Sequence, residues 1–376
     1  MRKCFLLCGF LIFVNMVCNG QNERKYGMIN KSGEIVVPLI YSHLYYVTGN
    51  PDSFDREDII DAKKDGKWGL LDRKGNVVVP CEYDGEGFGW TENMASVILD
   101  GKCGFVDMET SELVIPCTYI NVGMFHDGLA FLQKGERYGY IDKTGKVVIP
   151  FLYDHAYDFH EGLAKVHKKG GYGFINTIGE LIIPCIYDDA DFFQQGFAVV
   201  KKKGKLGLIN RKGEEVIPCN YKSLRKNPLY DFLIAKNDDG KCGIINKNNE
   251  ELLPFIYDGG GFGSSVLTEG IAYIKKNKKY GFVDSKGKLI TDCIYNGFLQ
   301  KNKEGFIKVQ KDGKYVMINA EGKEIDGNYK FHEGLAKIVK NKKYGFVNTQ
   351  GEEVVPCIYD YADDFHEGTS IVYIWE

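Results

Sequence analysis

The sequence predicts an all-β protein built from about ten tandem repeats, each a three-stranded antiparallel meander. Three observations predict it: a phrase of fixed order recurs along the chain, β-branched and aromatic runs alternate with glycine turns, and no stretch has the 3.6-residue period of a helix. The recurring mark is an aromatic residue followed by glycine, and successive marks lie 29 to 42 residues apart, mostly 34 to 36. The ten marks begin at Tyr26, Trp68, Cys103, Tyr138, Tyr172, Leu206, Cys242, Tyr280, Tyr315 and Tyr344.

Each repeat has strand signals in a fixed order. Strand a follows the mark, as in Tyr172–Asn176, and a turn with glycine leads to the short β-branched strand b, as in Leu181–Ile183. Two such runs separated by a few residues with glycine are typical of a hairpin. Strand b meets a proline, here Pro184, which cannot donate to a sheet ladder and so marks a strand end or edge. An irregular connection (Tyr187–Phe192) precedes strand c, which has the pattern of Gly162–Val166, and a basic turn then leads to the next strand a.

Stacking of neighbouring repeats is expected, because one such meander exposes an apolar face that it cannot bury alone. We predict an open β superhelix. The alternative is a propeller-like ring, in which the strand at Thr369–Trp375 pairs with the strand at Tyr26. Propellers typically have 4–8 blades of four strands, so ten blades of three strands favour the superhelix.

Residues 1–20 have the layout of a secretory signal peptide. A basic start precedes an apolar run from Phe5 to Val17, and small Gly20 follows it. The run is shorter than the roughly 20 residues that a membrane-spanning helix needs. We therefore expect cleavage near Gly20, a repeat array over residues 21–376, and export to the periplasm, the cell surface or the medium. Lipid anchoring at Cys18, or burial of the segment as a strand or helix, is the alternative.

The charge balance excludes no fold but does limit the partners. The formal net charge is −3, which gives no reason to expect nucleic acid or an anionic lipid surface. No further apolar run is long enough to span a membrane.

The phrase Gly66–Gly75, followed by Val77–Asp84, resembles the bacterial WG-repeat family, also called KWG repeats. The resemblance extends from about Tyr26 to Glu376, although tryptophan occupies the mark only at Trp68. It implies β-rich repeats of no established enzymatic activity, often in exported or multidomain proteins. It carries no catalytic residues over to this chain.

Eight cysteines follow the predicted signal peptide, and they fall at two repeat positions. One position is the residue after the strand-b proline or its equivalent, which Leu39, Phe151 and Phe255 occupy in other repeats; the second is the mark. The eight are Cys81, Cys117, Cys185, Cys219, Cys293 and Cys357, then Cys103 and Cys242. A position shared with Leu and Phe predicts buried free thiols. Disulfides are the alternative in an exported protein, and no Cys-x-x-Cys zinc motif occurs.

Four histidines also recur with the period, each followed by an acidic residue and glycine. They are His126, His160, His332 and His366, with Asp127, Glu161, Glu333 and Glu367 beside them. Stacked repeats would set these side chains in a row that binds a metal or senses pH. We favour the simpler interpretation of solvated turns before strand c.

The recurrent Tyr-Asp pairs invite an acid–base interpretation, but an active site is made once. The pairs are Tyr83-Asp84, Tyr153-Asp154, Tyr187-Asp188, Tyr257-Asp258 and Tyr359-Asp360. We expect each aspartate to accept backbone N–H bonds in the turn after strand b.

Lysine clusters fall in the turns between strands c and a: Lys201–Lys203, Lys275–Lys276 with Lys278–Lys279, and Lys342–Lys343. They would form a basic edge for polyanionic glycans, or a charged rim that discourages edge pairing, which we favour. The glycine-rich segments Gly85–Gly89 and Gly259–Gly263 lack the Gly-Lys-Ser/Thr of a phosphate loop.

The sequence thus predicts a non-enzymatic exported repeat protein that serves as a binding or scaffolding surface for protein or glycan partners. It identifies no catalytic, cofactor-binding or metal-binding residue. The alternatives are a spacer and an enzyme acting on envelope polysaccharide, which would need one singular pair of carboxylates. The irregular segments Val47–Asp58 and Arg225–Asp231 are the predicted repeat-specific contacts.

Overall fold

The computed structural model describes residues 24–30, 32–46, 59–85, 89–262, 271–301, 306–319, 322–326, 329–366 and 368–374. Within these residues every extended regular element is a β-strand. None of them forms a helix with the length and apolarity that crossing a bilayer demands. The chain divides into two compact units, one of residues 1–196 and 211–213, the other of residues 197–210 and 214–376.

The strands of the first unit are β1 (Tyr26–Ile29), β2 (Ile35–Tyr41), β3 (His43–Tyr46), β4 (Ile59–Lys64), β5 (Lys67–Asp72), β6 (Val77–Tyr83), β7 (Trp90–Thr91), β8 (Met94–Leu99), β9 (Lys102–Asp107), β10 (Leu113–Tyr119), β11 (Asn121–Val122), β12 (Leu129–Lys134), β13 (Arg137–Asp142), β14 (Val147–Tyr153), β15 (His155–His160), β16 (Leu163–Lys168), β17 (Gly171–Asn176), β18 (Leu181–Tyr187) and β19 (Asp189–Ala190).

The strands of the second unit are β20 (Phe197–Lys202), β21 (Lys205–Asn210), β22 (Glu215–Tyr221), β23 (Ser223–Lys226), β24 (Phe232–Lys236), β25 (Cys242–Asn246), β26 (Glu251–Tyr257), β27 (Gly259–Phe262), β28 (Ile271–Lys276), β29 (Lys279–Asp284), β30 (Leu289–Tyr295), β31 (Gly297–Lys301), β32 (Ile307–Lys311), β33 (Lys314–Ile318), β34 (Glu324–Asp326), β35 (Phe331–His332), β36 (Leu335–Lys340), β37 (Lys343–Asn348), β38 (Glu353–Tyr359), β39 (Tyr361–Ala362) and β40 (Val372–Tyr373).

The strands pair as antiparallel meanders, which confirms the predicted all-β repeat with a period near 35. Four-stranded sheets are β3–β6, β7–β10, β11–β14 and β15–β18 in the first unit, and β23–β26, β27–β30, β31–β34 and β35–β38 in the second. Strand β1 pairs with β2, and β40 pairs with β39. In the part of the chain that the structure describes, no sheet closes into a barrel.

Each full sheet has one strand more than the three that the sequence predicts. The extra strand, d, precedes strand c, so the order is d, c, a, b; β15 pairs with β16 in this way. It forms in the segment that we predicted as an irregular connection, where β19 covers Asp189–Ala190. Strand d often has only two residues, as in β11 and β19, and two residues are too few for a period-2 pattern to be recognised.

The glycine of the mark is required where strand b crosses strand a closely. A Cβ on Gly173 would lie 2.4 Å from the carbonyl oxygen of Ile183 and 2.8 Å from the nitrogen of Cys185. The register shifts at this point, because one residue of β17, Gly173, lies opposite the three residues 184–186 of β18. The bulge takes up the extra residues, including Pro184, which has no N–H to donate. The same close approach of strand b recurs at Gly27, Gly69, Gly104, Gly139, Gly207, Gly243, Gly281 and Gly345.

The ninth repeat lacks both the glycine and the bulge. Its mark has Val316 in place of glycine, and its strand b, β34, is shortened to three residues. Val316 pairs with Asp326 in an unbroken register, so the bulge is absent and a Cβ is tolerated.

The core lies between successive sheets. Tyr140 and Ile149 of one sheet pack with Phe159, Ala164 and Val166 of the next, and each is at most 5% exposed. Burying a large apolar side chain contributes about 1.5–3 kcal/mol. A single repeat would expose this face, so stacking stabilises the fold.

Extra length in the two longest repeats lies between strands d and c. Residues 47–58 separate β3 from β4, and residues 263–270 separate β27 from β28, whereas residues 123–128 and 191–196 make the same connection in regular repeats. The other connections are short. In the regular repeats one residue joins strand b to strand d, and two residues join strand c to strand a.

Candidate functional site

The aspartates of the Tyr-Asp pairs connect adjacent sheets. Asp84 accepts hydrogen bonds from Lys67 Nζ at 2.5 Å and from the backbone nitrogen of Asp100 at 2.7 Å. Asp258 is bound in the same way by Lys241 at 2.7 Å and the nitrogen of Asn277 at 2.8 Å. The N–H donor therefore lies in the c–a hairpin of the next sheet, not in the turn after strand b as predicted. Lys67 and Lys241 each come directly before the mark of their repeat. Their contacts with Asp84 and Asp258 explain why lysine occurs at the start of the Lys-Trp-Gly phrase.

The acidic residues beside the recurrent histidines form an acid ladder between repeats. Asp127 Oδ2 accepts the N–H of Gly162 at 2.8 Å, and Glu161 Oε2 accepts the N–H of Gly196 at 2.8 Å. Glu333 binds Gly368 in the same way, and so does Glu92 with Gly128, although Glu92 follows Thr91 and not a histidine. These acids are thus inter-repeat acceptors rather than merely solvated turn residues.

Stacking brings the recurrent histidines together as two pairs, one in each unit, rather than as one row of four. The ring centroids of His126 and His160 are 5.7 Å apart, and those of His332 and His366 are 6.1 Å apart. In the described ranges, no group of three or more His, Cys, Asp or Glu side chains is arranged to hold a metal ion.

The eight cysteines after residue 20 carry free thiols. Only Cys242 is fully buried and the others are half-buried, so the position is less enclosed than predicted. The Cys81 and Cys293 thiols point to carbonyl oxygens of strand c, 3.7 and 3.8 Å away. Burial raises the pKa of both thiols.

The remaining predicted segments have plain structural roles or lie outside the described residues. The lysine clusters fall in c–a hairpins as expected. In Arg225–Asp231, Arg225 binds the carbonyl of Gly260, and buried Tyr230 donates to the carbonyl of Ile271 at 2.8 Å. Gly259–Phe262 forms β27. Residues 1–23, which include the predicted signal peptide and Cys18, and Val47–Asp58 lie outside the described residues.

A contiguous series of aromatic rings distinguishes the repeats around residues 126–192. Neighbouring centroids along it are 4.5 to 6.4 Å apart. We call this series the aromatic seam; in order of contact it consists of Tyr138, His155, His167, Tyr172, Tyr157, Phe192, His160 and His126. Phe192 is 41% exposed, although a phenylalanine is usually among the more buried residues.

Lys165 lies beneath the centre of the seam. Its Nζ is 4.2, 4.8 and 5.3 Å from the ring centroids of Tyr157, Phe192 and Tyr172, and it donates to the carbonyl of Ala190 at 2.8 Å. The residue is only 8% exposed. Burial lowers the pKa of Lys165, and the negative charges of Asp189 and Asp191 oppose that shift.

Asp158 belongs to the same region. Its Oδ1 accepts the N–H of Met124 at 3.0 Å, which connects it to the preceding repeat. Burial raises the pKa of Asp158 to about 6, and nearby His126 acts in the opposite direction.

A second copy of this site occurs at Lys337, in the second unit. The segments Phe159–Val166 and Phe331–Ile338 are identical except for the last residue. Lys337 Nζ donates to the carbonyl of Ala362 at 2.9 Å, but it also forms an ion pair with Asp364 at 3.3 Å. Asp364 occupies the position of Phe192, so the exposed ring belongs to the first copy.

Sequence reasoning did not identify Lys165 or Phe192 as site residues. One signal was present: Lys165 interrupts the apolar strand Leu163–Val166. Its meaning depends on Phe192, which is distant in sequence and belongs to the next repeat.

The fold and these contacts define a β-repeat protein whose recurrent residues are chiefly structural. The family model described as "WG containing repeat" matches residues 26–68, 68–103, 104–138, 138–172, 172–205, 207–242, 243–280, 280–315 and 344–374. The chain therefore belongs to the WG-containing repeat family. The long gap in the matches, residues 316–343, covers the repeat that lacks the bulge.

The similar solved structures are distant. A eukaryotic initiation factor has 10% identity and a TM-score of 0.41, with 84% of this chain and 98% of that chain covered. BamB from Moraxella catarrhalis has 13% identity and a TM-score of 0.32, with 82% and 96% covered. The computationally designed Ika8 protein has 13% identity and a TM-score of 0.34, with 70% and 94% covered. None of the curated proteins matches the chain.

Proposed function

We propose that the protein is a non-enzymatic, exported binding protein, in which the repeats form a scaffold for one specialised surface. The observation that carries this proposal is the exposed Phe192 ring within the aromatic seam. Exposed aromatic residues among polar neighbours are characteristic of binding surfaces.

The contacts of the recurrent residues support a scaffold role. Asp84, Asp258, Asp127 and Glu161 each accept hydrogen bonds that join one repeat to another. The residues that define the repeat thereby act on stability, and specificity is left to positions where the repeats differ. The basic start and apolar run of residues 1–20 support export.

The proposal is tested with the purified protein as bait for cell-envelope proteins and glycans, measured by saturable binding. A partner captured at a defined stoichiometry is the expected result. Failure to bind any envelope component saturably would contradict it. Release of reducing ends from envelope polysaccharide by the protein would instead favour the enzymatic alternative.

A further inference from the structure

We infer that the surface around Phe192 binds an oligosaccharide without acidic groups; the inference rests on the proposed binding function and names its ligand class. The seam supplies the apolar part of such a site. Aromatic faces carry negative partial charge, and the C–H groups of a sugar ring, which carry a small positive charge, pack against them.

The geometry places the ring of Phe192 at the exposed end of a group of rings that support it. Tyr157 contacts it edge-on at a centroid distance of 5.9 Å, and His160 at 4.5 Å. Lys165 Nζ lies 4.8 Å from the Phe192 centroid. These contacts restrain an exposed ring, so little conformational freedom is lost when a ligand stacks on it.

Polar groups beside the ring can recognise hydroxyls. Asp189 and Asp191 are exposed beside Phe192 in the chain, and both act on the pKa of Lys165. Carboxylates accept hydrogen bonds from sugar hydroxyls through two oxygens each.

The charges select against acidic sugars. Lys165 is buried and its ammonium group donates to the carbonyl of Ala190, whereas the carboxylates of Asp189 and Asp191 are at the surface. A uronic acid or a phosphorylated sugar would place like charges together, which is unfavourable. A neutral or amino sugar avoids that repulsion.

The test is calorimetric titration of the purified protein with three hexasaccharides: chitohexaose, its de-N-acetylated form and hexagalacturonate. We expect saturable binding of the first two and none of the third. Phe192→Ala should weaken binding about tenfold or more, since it removes the stacking surface. Ile186→Ala is the matched control, because Ile186 is 52% exposed and lies outside the seam; it should leave the affinity unchanged.

A second variant distinguishes loss of the binding surface from misfolding. Phe192→Asp installs the residue that the fold already accepts at position 364, so it should fold and still lose binding. Absence of sugar binding, equal binding of hexagalacturonate, or equal losses in Phe192→Ala and Ile186→Ala would overturn the inference. If no hexasaccharide bound while an envelope protein was captured saturably, the binding function would stand and the sugar site would not.

Discussion

Glu161 and Gly196 are joined by a hydrogen bond that crosses from one repeat to the next, with 2.8 Å between the carboxylate oxygen and the backbone nitrogen. The other oxygen of Glu161 accepts the N–H of Gln195 at 2.6 Å. One side chain thus satisfies two adjacent backbone donors of a tight turn. Hydrogen bonds to a charged acceptor are stronger than neutral ones, so the acid ladder contributes to the stacking of repeats.

Removing this link should destabilise the protein. Glu161→Ala leaves two N–H groups without their acceptor, and we expect a loss of about 1 kcal/mol in the free energy of unfolding, because the turn is exposed to water. Chemical denaturation measures it. Glu180→Ala is the control: Glu180 accepts from Asn176 within its own hairpin at 2.8 Å, and its loss should cost less than about 0.5 kcal/mol. Equal losses would show that the ladder contributes nothing specific.

A methyl group at the mark should be poorly tolerated. In Gly173→Ala the Cβ would meet backbone atoms at 2.4 and 2.8 Å, and backbone cannot move aside as a side chain can. We expect a loss of about 3 kcal/mol, at the upper end for overpacking, seen as a lower Tm. Gly259→Ala, which meets no atom within 4 Å, should change stability by at most about 0.5 kcal/mol. A Tm for Gly173→Ala close to that of the wild type would show that the close approach of strand b does not require glycine at this position.

Asp158 should make stability depend on pH. Its pKa is raised by burial from 3.8 to about 6 in the folded state, so the stability it contributes is fully present below pH 3.8 and is lost as the pH rises through 6. At pH 7 the ionised form therefore costs up to about 3 kcal/mol. Asp158→Asn keeps the acceptor for Met124 and should be about 1–3 kcal/mol more stable than the wild type at pH 7, but not at pH 4.

Denaturation of both proteins between pH 4 and 8 checks this expectation. Asp142→Asn serves as the opposite case, because hydrogen bonding by Thr144 and by backbone N–H groups lowers the pKa of Asp142. A carboxyl group whose pKa is lowered by folding stabilises the folded protein at any pH above its pKa in the unfolded state. Asp142→Asn should therefore not stabilise the protein at pH 7. A constant difference between Asp158→Asn and the wild type across the range would exclude the proposed titration.

The cysteines should react slowly in the folded protein. Burial raises the pKa of Cys81, Cys185 and Cys293, and the thiolate is the reactive form. Titration with a chromogenic disulfide at pH 8 should be slow in native buffer. In protein that starts at residue 21, the reagent should count all eight thiols after unfolding. A count below eight under denaturing, non-reducing conditions would indicate disulfides.

Strands a, b and c were predictable because their signals are local. Gly173, Pro184 and the glycine turns act within one hairpin, and each of these residue types recurs in the sequence at a fixed spacing. Strand d was not predictable, since two residues such as Asp189 and Ala190 show no alternation. The partners of Asp84 and Lys165 were likewise hidden, because they belong to neighbouring repeats and meet only when the sheets stack.

The concentration of extra length between strands d and c makes one connection of each repeat open to diversification. Doubling the length of a flexible loop costs only about 0.6 kcal/mol, and lengthening there disturbs neither the glycine crossing nor the a–b hairpin. New sequence can accumulate in this connection while the sheets on either side persist, as the separation of β27 from β28 by residues 263–270 illustrates. A chain of this kind can acquire new recognition loops one repeat at a time, much as an antibody domain varies its loops on a constant framework.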